Sequence, residues 1–343
     1  MDSRAAWGVA FAVSLFVVVQ LGALALVPTF FEQGYQPVDN PQDPTLSIAY
    51  IGAILVATVL MLAAFKYKFD QAVRYVIVGT SGMLSWYVFG ALLPTLVAVP
   101  LAAGVSVALL LYPEWYIIDA AGVLMGAAAA GLFGITFGLL PALILLTALA
   151  VYDAISVYGT EHMLSLAEGV MDLKIPVILV IPLSLGYSLL SDDFSGAAGV
   201  HEDETDTAGV DTDDTNAAGV ASDADTNPDV DEETDAPAES QTERDAFFIG
   251  LGDAVIPAVL VASAAFFSSA PLLGLPGIAV NGPALGAMVG TVLGLLVLLR
   301  WVLRGEAHAG LPLLNGGAIG GYLIGSVIAG IPLAEAIGVA GLL

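Results

Sequence analysis

The chain of 343 residues contains no cysteine, which excludes disulfides and thiolate chemistry. Its three histidines, His162, His201 and His308, have no spacing that resembles a metal site. Charge is also scarce. Asp, Glu, Lys and Arg make up 12% of the chain, against roughly 25% in soluble domains. Nothing in this composition calls for a cofactor or a nucleic-acid partner. What is abundant is oil: 58% of the residues are hydrophobic. Such a chain is an integral membrane protein whose first partner is the lipid bilayer.

The first apolar stretch, 7–31, runs 25 residues without a charge. The apolar core of a cleaved leader is roughly 7–15 residues, so this stretch reads as a span. The formal charge of −25 is unevenly placed. Residues 192–245 hold 19 of the 33 acidic residues and one basic residue, Arg244, so that segment supplies −18 and the remainder −7. The acidity describes one solvated segment and names no ligand. It fits a protein facing a very salty cytoplasm.

A helix crossing the hydrocarbon core needs about 20 apolar residues. Nine stretches qualify: 7–30, 46–65, 72–92, 95–112, 117–136, 138–159, 246–269, 282–303 and 311–331. The fold class expected is an all-α membrane protein, a nine-helix transmembrane bundle. The Gly/Pro-punctuated "GITFGLLP" at 134–141 divides the fifth span from the sixth. Lys and Arg stay on the cytoplasmic side. With the N-terminus inside, nine spans place all eight basic residues inside, whereas merging spans five and six would put Lys174, Arg244, Arg300 and Arg304 outside. The N-terminus and the acidic loop are therefore expected in the cytoplasm, and the C-terminus outside.

Between spans six and seven, "TEHMLSLAEGVMD" at 160–172 places Met163, Leu166, Ala167, Val170 and Met171 on one helical face and is expected to lie along the membrane surface. "KIPVILVIPLS" at 174–184 is a β-branched run bracketed by Pro176 and Pro182, suited to a short strand or extended segment. Residues 191–244 are Asp, Thr, Ala, Gly and Glu with almost no aromatics, so they cannot bury enough apolar surface to offset their ordering entropy. The expected organisation is two membrane blocks, 1–190 and 245–343, joined by a disordered acidic linker at 191–244.

Two carboxylates lie where neighbouring side chains are apolar. Asp153 follows 33 uncharged residues in "VYDAIS", and Asp253 ends "GLGD" at 250–253. A charge near the bilayer centre costs about 2.5–3.5 kcal/mol on insertion scales and persists where it faces a bundle interior or a wet cavity. Asp119 and Glu335 lie near span ends, within expected reach of water or headgroups. At 1.5 Å per residue, Asp153 lies about 9 Å and Asp253 about 10 Å from the same boundary. Two antiparallel spans then carry one carboxylate each at matching depth. Two such groups close together cannot both ionise easily, so the pair tends to share a proton. The ionised member can take a proton from water while the protonated one polarises a peptide carbonyl, as in aspartic proteases. Gly250 and Gly252 would let backbone or a neighbouring helix come close to Asp253.

At these residues a family becomes recognisable. "VYDAISVYGTEHMLSLAEGVMDLKIPVILVIPLS" resembles the sixth-span region of presenilins, and "FFIGLGDAVIPAVLVASA" resembles the Gly-x-Gly-Asp span of presenilins and signal peptide peptidases. The resemblance is closest to archaeal presenilin-like proteases. It implies intramembrane aspartyl proteolysis of transmembrane-helix substrates, with Asp153 and Asp253 catalytic and Tyr152 packing at or lining the site. Gly250, Leu251 and Gly252 would support it. The family's Pro-Ala-Leu motif falls on "AGLPLLNGG": Leu311 matches its Leu and Pro312 the presenilin continuation, while Ala309 and Gly310 replace Pro and Ala. Pro312 cannot donate a backbone hydrogen bond, so a non-helical stretch there would offer free backbone groups. "IPVILVIP" would supply a strand edge for an unwound substrate.

Other chemistries fit less well. "GTSG" at 79–82 spells a serine motif, but no histidine lies in a span to act as base for Ser81, which reads as a small packing residue. A His-Glu-x-x-His metalloprotease motif is absent. Prepilin peptidases share Gly-x-Gly-Asp but not the Tyr-Asp segment, the nine spans or the long central loop. The alternative outside enzymes is a proton- or cation-coupled transporter or channel using the same carboxylates. An oligomer is compatible with all of these readings.

Overall fold

A computed structural model describes residues 3–159, 176–184, 186–189, 246–304 and 309–339. The expected surface segment at 160–172 and the acidic linker at 191–244 lie outside the described residues. The elements follow in chain order: α1 (Ser3–Glu32), α2 (Thr45–Lys66), α3 (Asp70–Leu92), α4 (Thr95–Leu111), α5 (Trp115–Thr136), α6 (Leu139–Gly159), β1 (Ile178–Pro182), β2 (Ala246–Gly250), α7 (Leu251–Phe267), α8 (Gly282–Val302), α9 (Gly310–Ile328) and the short α10 (Leu333–Ala336).

Among the described residues, seven helices are long and apolar enough to cross a membrane, and α4 and α7 are apolar helices of 17 residues. These nine are the nine expected spans. Their outer faces carry large apolar side chains, such as Leu96 at 90% and Ile328 at 81% exposure. Water would not tolerate such a surface, whereas lipid tails match it. The corner between α5 and α6 is tight. Phe137 is extended, the Gly138 N–H donates to the Pro41 carbonyl, and Pro141 sits in the first turn of α6, where its missing N–H costs nothing.

The seventh span differs from expectation. Residues 246–250 are not helical; they form β2, which pairs antiparallel with β1 in the register Ile178↔Gly250, Val180↔Phe248 and Pro182↔Ala246. The reason is tertiary. "AFFIG" is apolar in either conformation, and its aromatic and branched side chains suit a strand once a partner strand is present. β1 is buried along its whole length. The strand turns directly into α7 at Gly250, whose backbone is extended. α7 is then about 26 Å long, short of the roughly 30 Å hydrocarbon thickness, and the strand carries the chain over the remainder.

The tightest pair in the bundle is α8 against α9. Gly286 and Gly290 of α8 face Gly317 and Gly321 of α9 so closely that any added β-carbon would strike the opposing backbone. In lipid, helices associate by close packing of small residues, and this ladder is an instance of it. Polar side chains fasten the ends. Asn281 caps α8 by accepting from the Ala284 N–H at 2.9 Å, and its amide donates to the Ala264 carbonyl of α7 at 2.9 Å.

Candidate active site

The site forms where three helices and the sheet meet. Asp153 lies six residues before the end of α6 and is only 6% exposed. Asp253 lies in the first turn of α7 and is half-buried. Both reach the start of α9. The Leu311 N–H donates to Asp153 Oδ2 at 3.0 Å, and the Gly310 N–H is a second backbone donor to the same carboxylate. Asp253 Oδ2 lies 3.5 Å from the point where a β-carbon on Gly310 would stand. The two carboxylates border one dipeptide and lie within electrostatic reach of each other.

The local sequence accounts for this geometry. The first N–H groups of a helix have no intrahelical acceptor, and the helix N-terminus favours a negative charge. Asp153 supplies the acceptor to α9 from a neighbouring helix. Pro312, third in α9, has no N–H to leave unpaired. The expectation of a non-helical stretch at Pro312 is therefore corrected. The free backbone donors come from the first helical turn itself, because a proline is tolerated there and does not break the helix.

One turn further along α9, the Asn315 amide donates to the Leu146 carbonyl of α6 at 2.9 Å. This second link runs parallel to the Leu311–Asp153 bond and holds α6 against α9.

The residues of "GLGD" divide the work. Leu251 is 6% exposed and donates its N–H to the Val177 carbonyl at 2.7 Å, while its side chain packs over Gly126 of α5. Gly250 and Gly252 are exposed. Among the described residues, no other chain segment comes within 4 Å of a β-carbon at either glycine; only Asp253 and Ile256 do. These glycines are not a helix-packing motif. Among the described residues they leave the approach to Asp253 uncovered. Close contact with Asp253 comes instead through Gly310, which the sequence marks only as a departure from Pro-Ala-Leu. Tyr152 stands beside Asp153 and is 45% exposed. Ser81 is fully buried in α3 with no hydrogen-bond partner among the described residues, and Glu335 is exposed as expected.

Asp119 requires correction. It lies near a span end, yet it is 3% exposed and accepts the Val180 N–H of β1 at 2.7 Å through Oδ1. The sheet lies over that end of α5 and excludes the water expected there. The idea of β1 as a docking edge changes for the same reason. The Leu251–Val177 bond fixes the ladder on pairs 179–249 and 181–247, so Val180 turns its N–H away from β2. Asp119 already occupies that outward edge.

A family described as signal-peptide peptidase, presenilin aspartyl protease matches residues 13–331. No curated sequence matches the chain. Among solved structures, the chain is similar to a presenilin family intramembrane aspartate protease in a C222 crystal. The TM-score is 0.60 and the identity 29%, covering 93% of this chain and 99% of the other. The P2 crystal form of a presenilin family intramembrane aspartate protease gives a TM-score of 0.55 and 28% identity, covering 92% of this chain and 96% of that one.

Proposed function

The chain belongs to the signal-peptide peptidase, presenilin aspartyl protease family and is an intramembrane aspartyl protease of transmembrane substrates, and we propose that Asp153 and Asp253 are its catalytic pair. The observation that carries this reading is their convergence on Gly310 and Leu311 from two different helices. The pair holds one proton between two carboxylates. A water molecule placed between them gives a proton to the ionised carboxylate as its oxygen attacks the scissile carbonyl carbon. The other carboxylate gives its proton to the carbonyl oxygen, and a tetrahedral gem-diol forms. Collapse of that intermediate breaks the C–N bond. The amine leaves with a proton from the first carboxylate, the second takes one back from the gem-diol, and the pair again holds one.

The neighbouring residues fit supporting roles. Leu311 and Gly310 orient Asp153 through their N–H groups. Leu251 fixes the start of α7. Gly250 and Gly252 keep room above Asp253 for an unwound substrate backbone, and Tyr152 and Pro312 flank the site. In the proposed topology the N-terminus and the acidic 191–244 linker are cytoplasmic, the C-terminus is outside, and 1–190 and 245–343 are the two membrane blocks. The positions of all eight Lys and Arg support this orientation.

The test is cleavage of a transmembrane-helix peptide by purified full-length protein in detergent. Wild type cleaves, while Asp153→Ala and Asp253→Ala are each inactive. Cleavage retained by either variant removes that residue from the pair.

A further inference from the structure

Among the described residues the proposed mechanism leaves two buried carboxylates unused, Glu114 and Asp119, and of these only Asp119 has an oxygen without a partner. Asp119 is 3% exposed; its Oδ1 accepts from Val180, and its Oδ2 is buried with no hydrogen-bond partner among the described residues. A buried carboxylate with one oxygen unpartnered is costly, and a core helix has no structural need for one. Its surroundings suggest what it serves.

Trp115, Asp119, Gly122 and Gly126 are spaced by four, three and four residues and so share one face of α5. Each meets the two-stranded sheet or a residue flanking it. The Trp115 indole N–H donates to the Tyr187 carbonyl at 3.0 Å. A β-carbon on Gly122 would lie 3.1 Å from the Leu179 side chain, and one on Gly126 would lie 3.3 Å from that of Leu251. Just before this face, Glu114 accepts from the Ser188 hydroxyl at 2.6 Å and the Leu189 N–H at 3.1 Å. The glycines let the sheet lie flat on α5, and the polar groups hold it there. Asp119 supplies a side-chain acceptor on the outward edge of β1, where a third strand would otherwise pair.

We propose that Asp119 is a positioning residue for proteolysis, clamping β1 to α5 and through β2 and Leu251 setting where Asp253 stands. The connection is short. Leu179 pairs with Ile249, Val177 accepts from Leu251, and Asp253 follows two residues later. Asp119 does not touch the reacting atoms; it acts through Val180. This inference rests on Asp253 being catalytic.

The experiment measures kcat and KM on a transmembrane peptide for full-length Asp119→Ala, Asp119→Asn and Val180→Pro. Active sites are counted by titration with a hydroxyl-containing transition-state isostere. Asp119→Ala is expected to lower kcat per titrated site by about 10- to 100-fold, since small misplacements of a reacting group cost that much, with KM within about twofold. Asp119→Asn keeps an acceptor at Oδ1 and is expected within about threefold of wild type. Val180→Pro removes the same bond from the other side, at a position whose N–H the β1–β2 ladder does not use, and gives a loss of the same kind if Asp119→Ala does not fold. The losses from Asp119→Ala and Val180→Pro should not add. Wild-type kcat per site in Asp119→Ala and Val180→Pro overturns the proposal. So does a loss confined to the number of titratable sites, which would make Asp119 merely structural. If Asp253→Ala still cleaves in the same assay, the underlying assignment fails instead, which separates the two.

Discussion

Asp153 and Asp253 border the same dipeptide but are held in opposite ways. Asp153 comes from the last two turns of a helix, is 6% exposed, and has its carboxylate engaged by backbone N–H groups of α9, that of Leu311 at Oδ2. Asp253 comes from the first turn of a helix, is half-buried, and has two bare glycines beside it. One carboxylate is fixed by donors and the other is kept accessible. A pair that must orient water and also admit a peptide backbone needs both conditions, and a symmetric pair would meet only one.

The largest effect should be the same on both sides. Asp153→Asn and Asp253→Asn each keep shape and remove acid–base function, with an expected loss of roughly 100- to 10,000-fold in cleavage rate. A large difference between them would break the comparison at its root. The donor side is tested next by Leu311→Pro, which deletes the N–H that reaches Asp153. A hydrogen bond to a charged group contributes about 1.5–3 kcal/mol, so kcat should fall roughly 10- to 100-fold with little change in KM. The open side is tested by Gly252→Leu. It should raise KM about 10-fold, leaving the thermal midpoint unchanged, because the added side chain fills approach space and not core. Unchanged KM would show that substrate does not pass there.

The smallest effect concerns a carboxylate that does the same capping job in water. Asp43 accepts the Thr45 N–H at 2.9 Å and the Thr45 hydroxyl at 2.7 Å at the start of α2, and these bonds hold its carboxyl below the ordinary 3.8. Its folded pKa is lowered, so its contribution is complete above 3.8 and is lost as pH falls below that value. Asp43→Ala should leave cleavage unchanged and lower the thermal midpoint slightly at neutral pH. That difference should vanish in strong acid. An activity loss would mean that capping of α2 reaches the site.

Much of this was legible in the sequence because a bilayer imposes a simple solvent rule. Nine apolar runs, a Gly/Pro corner and eight placed cations were enough for the helices, and two isolated aspartates marked the pair that the structure brings to one dipeptide. What escaped depended on partners far along the chain. Residues 246–250 satisfy the apolar rule as helix or strand, and only pairing with 178–182 decides between them. Asp119 looked accessible by its position in a span, but its partner is Val180, 61 residues away. Leu311 acts through its main chain, which no residue letter records. Gly310 shows in the sequence only as a missing side chain.

The glycine ladder between α8 and α9 also bears on the chemistry. With backbone against backbone at Gly286, Gly290, Gly317 and Gly321, the two helices behave as one stiff lever with its tip at Gly310 and Leu311. A side chain at any of these four glycines would strike the facing backbone and tilt the tip. Residues in the middle of the bundle therefore hold the calibration of the site, and damage there would read as a catalytic defect in a protein that still folds and inserts.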